Sequence, residues 1–173
     1  MNQIQTAGQQ RYYDFISDRA KKVRTGMIVW ASLLSLALIS LFNNIVIAII
    51  LAVLGAALAA SNVKSQKELK GKLDGVRDKE DFFNQLADTD TLSVQEGRIL
   101  VTKDYVLTYR TDVFIYYIPD MEKVEVGLKG DEKKFLYLTE GSGKRHEIMS
   151  CVKRAEDSRE FDAVYGALKA RCR

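Results

Sequence analysis

The side chains that most often catalyse reactions or bind metals are scarce in this chain of 173 residues. It contains one histidine, His146, and two cysteines, Cys151 and Cys172. Zinc and iron sites are usually built from several histidine or cysteine ligands, and histidine is the commonest general acid or base. We therefore predict no catalytic residues, no metal site and no bound cofactor, and we expect that the protein is not an enzyme.

Basic side chains are the more abundant functional candidates, because they can attract the anionic headgroups of membrane lipids. One set precedes a long apolar stretch, and a second set lies near two predicted hairpin turns. The candidate lipid-contacting residues are Arg19, Lys21, Lys22, Arg24, Lys129, Lys133, Lys134, Lys144 and Arg145. Two alternatives stay open: the first set only orients the chain in a membrane, and the second set, which alternates with acidic residues, is ordinary solvated surface.

The positive charge of the chain is confined to one end. The net charge of +3 lies in residues 1–26, because residues 64–173 carry equal numbers of acidic and basic side chains. Between these segments, residues 27–63 contain no charged residue and no histidine. Proteins that bind nucleic acid usually present an electropositive surface, so the neutral C-terminal region argues against nucleic acid as a partner. The uncharged stretch predicts a segment that lies in a membrane.

Two apolar runs, 27–42 and 45–60, flank the turn-favouring pair Asn43-Asn44. One continuous helix over both runs would extend about 50 Å, whereas the hydrocarbon core of a bilayer is about 30 Å thick. We therefore predict a transmembrane helical hairpin over residues 27–61. A shallow re-entrant hairpin stays open as an alternative. A cleaved signal peptide is disfavoured, because the apolar stretch is too long for one.

Basic residues flank both ends of the predicted hairpin, and none lies in its turn. The positive-inside rule then places both termini and the C-terminal domain in the cytoplasm. The predicted localisation is an integral membrane protein, in the plasma membrane if the source is bacterial. Small residues in the second run favour close helix packing, either within the hairpin or between copies of the chain; they are Ala48, Ala52, Gly55, Ala56, Ala59 and Ala60.

Segments on either side of the hairpin are predicted to be helical. Residues 1–26 form an amphipathic juxtamembrane arm, because apolar residues recur there at helical spacing, namely Tyr12, Phe15, Ile16, Ala20 and Val23. The apolar face of this arm could lie in the membrane interface. Residues 62–90 form a helical linker, and its better helix begins after the capping residue Asp78.

From Leu92 onwards the hydrophobic period changes from that of a helix to that of a strand. The predicted strands are 92–95, 98–102, 105–110, 113–118, 123–129, 134–140 and 144–152. An amphipathic helix follows, with Asp157 and Glu160 as a capping box. Residues 91–173 therefore form a seven-stranded antiparallel sheet or barrel with a C-terminal helix, and the fold class of the chain is α+β.

Seven short strands followed by one helix resemble the pleckstrin-homology-like (PH-like) fold. The layout is similar to bacterial membrane proteins that tether such a domain to a transmembrane hairpin. The resemblance is carried by residues 97–107, residues 117–124 and the final helix. Members that bind phosphoinositides concentrate lysine and arginine between the first two strands. This chain has Gln95-Glu96-Gly97-Arg98 there, which argues against recognition of inositol phosphates.

These patterns predict a membrane-anchored, non-enzymatic protein whose cytoplasmic PH-like domain mediates protein–protein interaction or assembly at the membrane. The step from fold to function is an analogy, because one fold serves many functions. The main alternative is a domain that binds or senses anionic lipid, and an enzyme with an unrecognised site is a less favoured third class. The predicted partners are membrane lipids and a protein, with homo-oligomers through the hairpin left open and nucleic acid excluded.

Overall fold

The computed structural model describes residues 6–129, 133–152 and 155–172. Its long elements are α1 (Ala7–Ser40), α2 (Ile45–Gly71), α3 (Lys79–Ala87), β1 (Leu92–Val94), β2 (Ile99–Val101), β3 (Tyr105–Tyr109), β4 (Val113–Tyr117), β5 (Met121–Lys129), β6 (Lys133–Glu140), β7 (Arg145–Val152) and α4 (Ala155–Lys169). Two apolar helices, seven strands and a C-terminal helix confirm the predicted α+β class. The chain divides into two compact units, residues 16–75 and residues 1–15 together with 76–173.

The first unit contains an antiparallel pair of helices, joined at the predicted turn. Asn44 caps α2, because its Oδ1 accepts hydrogen bonds from the backbone N–H groups of Val46 (3.0 Å) and Ile47 (3.2 Å). The helices pack closely at Gly55, where an added Cβ would lie 2.8 Å from Cδ2 of Leu34. They are also joined by Asn62, whose Nδ2 donates to the carbonyl oxygen of Val23 at 2.8 Å.

The second unit is built on two antiparallel sheets. One has the strand order β1-β2-β3-β4, and the other has the order β5-β6-β7. Alternation along the strands turns one face of each sheet towards a shared core. This core also receives one face of α4, and its fully buried members include Val101, Val106, Leu136, Leu138, Ile148, Val164 and Leu168. The C-terminal helix therefore covers the sheets, as its apolar stripe predicts.

The four-stranded sheet is buried on its other face as well. Along β3, Val106 belongs to the shared core, whereas its neighbours Tyr105 and Leu107 point to the opposite face and are also buried. Helix α3 covers that opposite face, and the rings of Phe82 and Tyr105 meet edge-on at 5.0 Å between centroids. Both faces of the central strands β2 and β3 are thus covered by protein.

Gln85 fixes α3 to the turn between β2 and β3. Its Oε1 accepts hydrogen bonds from the Thr102 hydroxyl (3.0 Å) and the Asp104 backbone N–H (2.9 Å). Its Nε2 donates to carboxylate oxygens of Asp81 and Asp104, each at 2.7 Å. The side chain of Gln85 is therefore fully used in holding the helix on the sheet.

Several boundaries differ from those predicted from the sequence. The sheet domain predicted over residues 91–173 lies in a compact unit that also includes residues 6–15 and 76–90. Strand β5 begins at Met121, with a register irregularity before Lys123. Helix α4 begins at Ala155, and the predicted cap Asp157 lies outside the described side chains. Glu160 accepts a hydrogen bond from the backbone N–H of Gln95 at 3.2 Å, which links α4 to the end of β1.

Candidate functional site

The single histidine lies in a polar contact at the end of the three-stranded sheet. His146 is the second residue of β7, and its Nε2 lies 2.6 Å from Oε1 of Glu140. Its ring also contacts that of Tyr116 on β4, with 4.7 Å between centroids, so this contact joins the two sheets. The Cys151 and Cys172 side chains are not joined in a disulfide. Among the described residues, no three histidine, cysteine or carboxylate side chains are grouped as a metal site would require.

The contact between Glu140 and His146 predicts an acid-sensitive link. The hydrogen bond from His146, followed by that from Ser142, lowers the pKa of Glu140 from its ordinary value of 4.5. A carboxyl whose folded pKa is lowered stabilises the fold above its unfolded pKa and loses that effect as pH falls through the folded pKa. We expect Glu140→Gln to weaken the loss of thermal stability between about pH 5 and pH 3. Glu122→Gln, at an exposed position of β5, is the control, and an equal effect of both changes in circular dichroism melts would contradict this assignment.

The hairpin presents an extensive apolar surface. Both α1 and α2 are long and apolar enough to cross a membrane. The large apolar side chains of the two helices and their turn that are more than 60 % exposed are Leu38, Ile39, Phe42, Ile45, Val46 and Val53. Soluble monomers rarely expose a contiguous apolar patch larger than a few hundred Å². A surface of this kind is typical of contact with lipid or with another apolar surface.

Small residues of α2 are used within the hairpin. Gly55 and Ala48 are buried, and Gly55 lies directly against Leu34 of α1. Ala48 and Ala52 line an apolar gap of about 380 Å³ between the helices, together with Leu34 and Ala37. Gly55 therefore serves packing inside one chain, whereas Ala48 and Ala52 face the gap and Ala56 and Ala60 are exposed.

We expect Gly55→Leu to destabilise the hairpin by about 1–3 kcal/mol, the usual cost of overpacking a close contact. The added side chain would meet both the Leu34 side chain and, at 3.4 Å from its Cβ, the Leu34 backbone nitrogen. Ala56→Leu adds a side chain of the same kind at an exposed neighbouring position and is expected to have little effect. The measurement is unfolding in mixed micelles, followed by the fluorescence of Trp30, the only tryptophan. Equal destabilisation by the two changes would contradict the packing described for Gly55.

The start of α1, residues 8–15, packs on α3 through an aromatic cluster that the sequence patterns do not reveal. Tyr12 is only 1 % exposed, and its ring meets those of Phe82 (5.9 Å) and Phe83 (6.1 Å) edge-on. Gly8, one turn earlier, lies so close to α3 that an added Cβ would fall 1.8 Å from the Phe83 carbonyl oxygen. Apolar periodicity correctly marks Tyr12 as part of an apolar face, but this face is covered by protein and is not free to enter a membrane interface.

Arg11 strengthens this contact at the C-terminal end of α3. Its Nη1 donates hydrogen bonds to the carbonyl oxygens of Leu86 (3.0 Å) and Asp88 (3.3 Å). These oxygens lie where a helix has carbonyl groups without helical partners, and a cation also complements the helix dipole there. The structural role of Arg11 depends on a contact that spans 75 residues of the chain, so local sequence patterns do not reveal it.

The first set of candidate lipid-contacting residues is divided between two sides of α1. Arg19 and Lys22 line a groove that faces α2. Lys21, which lies 3.7 Å from the Asp18 carboxylate, and Arg24 do not line this groove, although Lys21, Lys22 and Arg24 are all exposed. The four cations are therefore not equivalent, which the sequence alone does not reveal.

The second set does not form one patch. Lys133 and Lys134 begin β6, whereas Lys144 and Arg145 follow its other end, so the length of the strand separates them by about 24 Å. The Lys134 ammonium lies 5.8 Å from the centre of the Phe161 ring. Arg145 is engaged within the domain, because its Nε lies 3.1 Å from the Glu125 carboxylate and its guanidinium covers the Tyr137 ring at 4.7 Å. The side chain of Lys129 lies outside the described ones.

Strand β5 provides an exposed apolar strip on the domain. Val126 and Leu128 are 45 % and 67 % exposed, although Val124 on the same face packs against the shared core. Strand β5 is also an edge of its sheet and pairs only with β6 in the described order. An edge with exposed apolar side chains is a surface on which another polypeptide can pair or pack.

Compared with known proteins, the sequence matches neither a protein-family model nor a curated protein. The structure itself defines the class as an α+β protein that combines a two-helix apolar hairpin with a two-sheet domain. Its function is therefore argued from its surfaces.

Proposed function

We propose that this chain is an integral membrane protein whose hairpin anchors a non-enzymatic, PH-like interaction domain on the cytoplasmic side of the membrane. The observation that carries the proposal is the apolar surface of the hairpin. It is formed by a stretch of 37 uncharged residues whose large apolar side chains are exposed, as contact with lipid hydrocarbon requires. Burial of such a surface in hydrocarbon removes its unfavourable contact with water. The turn at Asn43-Asn44 lies at the far end of this surface from the flanking cations.

The orientation is supported by charge. Arg11, Arg19, Lys21, Lys22 and Arg24 precede the apolar stretch, and Lys64, Lys67, Lys70 and Lys72 follow it, whereas the turn has no basic residue. This distribution favours cytoplasmic placement of both ends of the hairpin. The PH-like assignment of the domain is supported by seven antiparallel strands in two sheets with a covering C-terminal helix.

Labelling with a membrane-impermeant maleimide tests this topology. In intact cells that express the full chain, Asn43→Cys is expected to react, and Lys67→Cys is expected to react only after lysis. Both positions are exposed, so the comparison depends on the side of the membrane. Protection of Asn43→Cys would favour a re-entrant hairpin, and reaction of Lys67→Cys in intact cells would overturn the proposed orientation.

The interaction role is supported by the exposed strip on β5. A protein partner that pairs with this edge would cover Val126 and Leu128 and satisfy the outward backbone groups of the strand. We expect Leu128→Lys to abolish chemical crosslinking of the full chain to its membrane partner, because a charge replaces the exposed apolar contact. Asn84→Lys adds the same charge at an exposed position of α3 and is the matched control. Unchanged crosslinking of Leu128→Lys would exclude the β5 edge as the interaction surface.

A further inference from the structure

A groove of about 310 Å³ lies between α1 and α2 at the basic end of the hairpin. One wall carries Arg19 and Lys22, three residues apart on the same face of α1. The other wall carries Ser61 and Ser65, four residues apart on α2. We propose that this groove is a binding site for one anionic phospholipid, whose headgroup phosphate contacts Arg19 and Lys22.

The polar end of the groove has the chemistry that recognises phosphate. Arginine binds phosphate oxygens through paired N–H donors, and lysine adds a compact positive charge. Hydroxyl groups of Thr25, Ser61 and Ser65 line the same space and can donate further hydrogen bonds. The described lining residues include these two cations and no carboxylate, so their charge is complementary to an anionic headgroup.

The same groove becomes apolar along the helices. Val29 on α1 and Leu58 on α2 belong to its lining, and both lie within the uncharged part of the hairpin. A free anion such as inorganic phosphate would use only the polar end. A phospholipid matches the whole groove, because its phosphate meets the cations while the start of an acyl chain meets Val29 and Leu58. This order, cations first and apolar side chains further into the hairpin, is also the order of headgroup and hydrocarbon in a bilayer.

The two walls are fixed to each other at the floor of the groove. Asn62 donates through Nδ2 to the Val23 carbonyl oxygen at 2.8 Å, and its Oδ1 accepts from Gln66 Nε2 at 3.0 Å. Gly26 permits this approach, because an added Cβ would lie 2.6 Å from Asn62 Nδ2. The site is therefore formed before the lipid binds, and a preformed site loses less free energy to ordering on binding.

The remaining cations of the arm distinguish a specific site from general attraction. Lys21 and Arg24 lie on the same helix within two residues of the groove cations, yet neither lines the groove. Diffuse attraction to an anionic surface would depend on all four cations, whereas a groove site depends mainly on Arg19 and Lys22. The inference rests on the membrane placement proposed above, and it adds the class of lipid and the residues that select it.

Quenching of Trp30 by brominated lipids tests the site in the full chain. Trp30 follows the groove residue Val29 directly and is the only tryptophan. In micelles of neutral detergent, brominated phosphatidylglycerol is expected to quench at about thirtyfold lower concentration than brominated phosphatidylcholine, as two well-placed cations predict. Arg19→Gln with Lys22→Gln should abolish this preference. Lys21→Gln with Arg24→Gln removes the same charge and should change it by less than about twofold.

Three controls keep the result decisive. Arg19→Lys with Lys22→Arg conserves the charge and should retain most of the preference, which separates lost binding from a disturbed hairpin. Inorganic phosphate should compete weakly, and full competition would overturn the phospholipid assignment in favour of a simple anion site. The groove site would be overturned if the two double glutamine variants lost the preference for phosphatidylglycerol equally, or if the parent chain showed no such preference. Absence of quenching by both lipids would instead contradict the membrane placement itself.

Discussion

Tyr12→Ala is expected to destabilise the domain by about 3–5 kcal/mol, the usual cost of truncating a large buried aromatic side chain. Tyr12 lies far before the first strand, yet it is 1 % exposed and contacts the rings of Phe82 and Phe83. Phe82 in turn meets Tyr105 of β3. Truncation at Tyr12 would leave a cavity beside α3. This helix packs on the outer face of the four-stranded sheet, so the loss of packing would also loosen its contact with the sheet.

Hydrogen exchange of the full chain, reconstituted in micelles, measures this effect by segment. Peptides from α3 and β3 are expected to exchange faster in Tyr12→Ala, whereas peptides from 45–60 in the hairpin should be unchanged. Tyr13→Ala is the matched control, because the neighbouring ring is 47 % exposed. Equal acceleration by the two changes, or protection of α3 in Tyr12→Ala, would contradict the docking of the arm.

Tyr12→Phe separates the ring from its hydroxyl. Among the described residues, the buried Tyr12 hydroxyl has no hydrogen-bond partner, so its removal is expected to leave stability equal or raised. Burial, with a smaller effect of Tyr13, raises the pKa of Tyr12 to about 12 from 10.0. A group whose folded pKa is raised stabilises the fold below its unfolded pKa and loses that effect as pH rises through the folded value. Stability should therefore decline between about pH 10 and pH 12 in the parent chain, and decline less in Tyr12→Phe.

Local sequence patterns predicted those elements whose boundaries depend on nearby residues. The uncharged runs and the Asn43-Asn44 turn are such features, and the structure places helices that end at Ser40 and begin at Ile45 there. The seven strands also follow from alternation between turn residues, as Val113–Tyr117 shows within one residue of its predicted end. Hydrophobic period and turn chemistry are local properties, so they can be read without knowing the tertiary fold.

Contacts between distant segments could not be predicted in the same way. The period of the arm shows which side of α1 is apolar, but it does not show that Phe82 and Phe83 cover Tyr12. The groove likewise needs Arg19 and Lys22 to face Ser61 and Ser65 across two helices. In each case the missing information is the partner of a correctly predicted face.

Gly8→Ala is expected to destabilise the contact between the start of α1 and α3. Helix propensity alone would predict the opposite, a small increase in the free energy of unfolding. Alanine normally stabilises a helical position by up to about 1 kcal/mol relative to glycine. At Gly8, however, the added Cβ would lie 1.8 Å from the carbonyl oxygen and 2.6 Å from the carbonyl carbon of Phe83. A backbone atom of a packed helix cannot rotate away as a side chain can. The first turn of α1 must therefore move away from α3, at a net cost of about 1–3 kcal/mol.

Gly166→Ala provides the opposite outcome within the same domain. Gly166 is exposed on α4, and an added Cβ would meet nothing within 4 Å among the described residues. Here only the helix propensity acts, so the change should stabilise the domain by about 0.5–1 kcal/mol. Urea unfolding of the full chain, followed by exchange of the β3 and β6 peptides, measures both changes. The two substitutions are expected to change the free energy of unfolding in opposite directions because only Gly8 lies close to Phe83. Stabilisation by Gly8→Ala would therefore show that the start of α1 does not lie on α3.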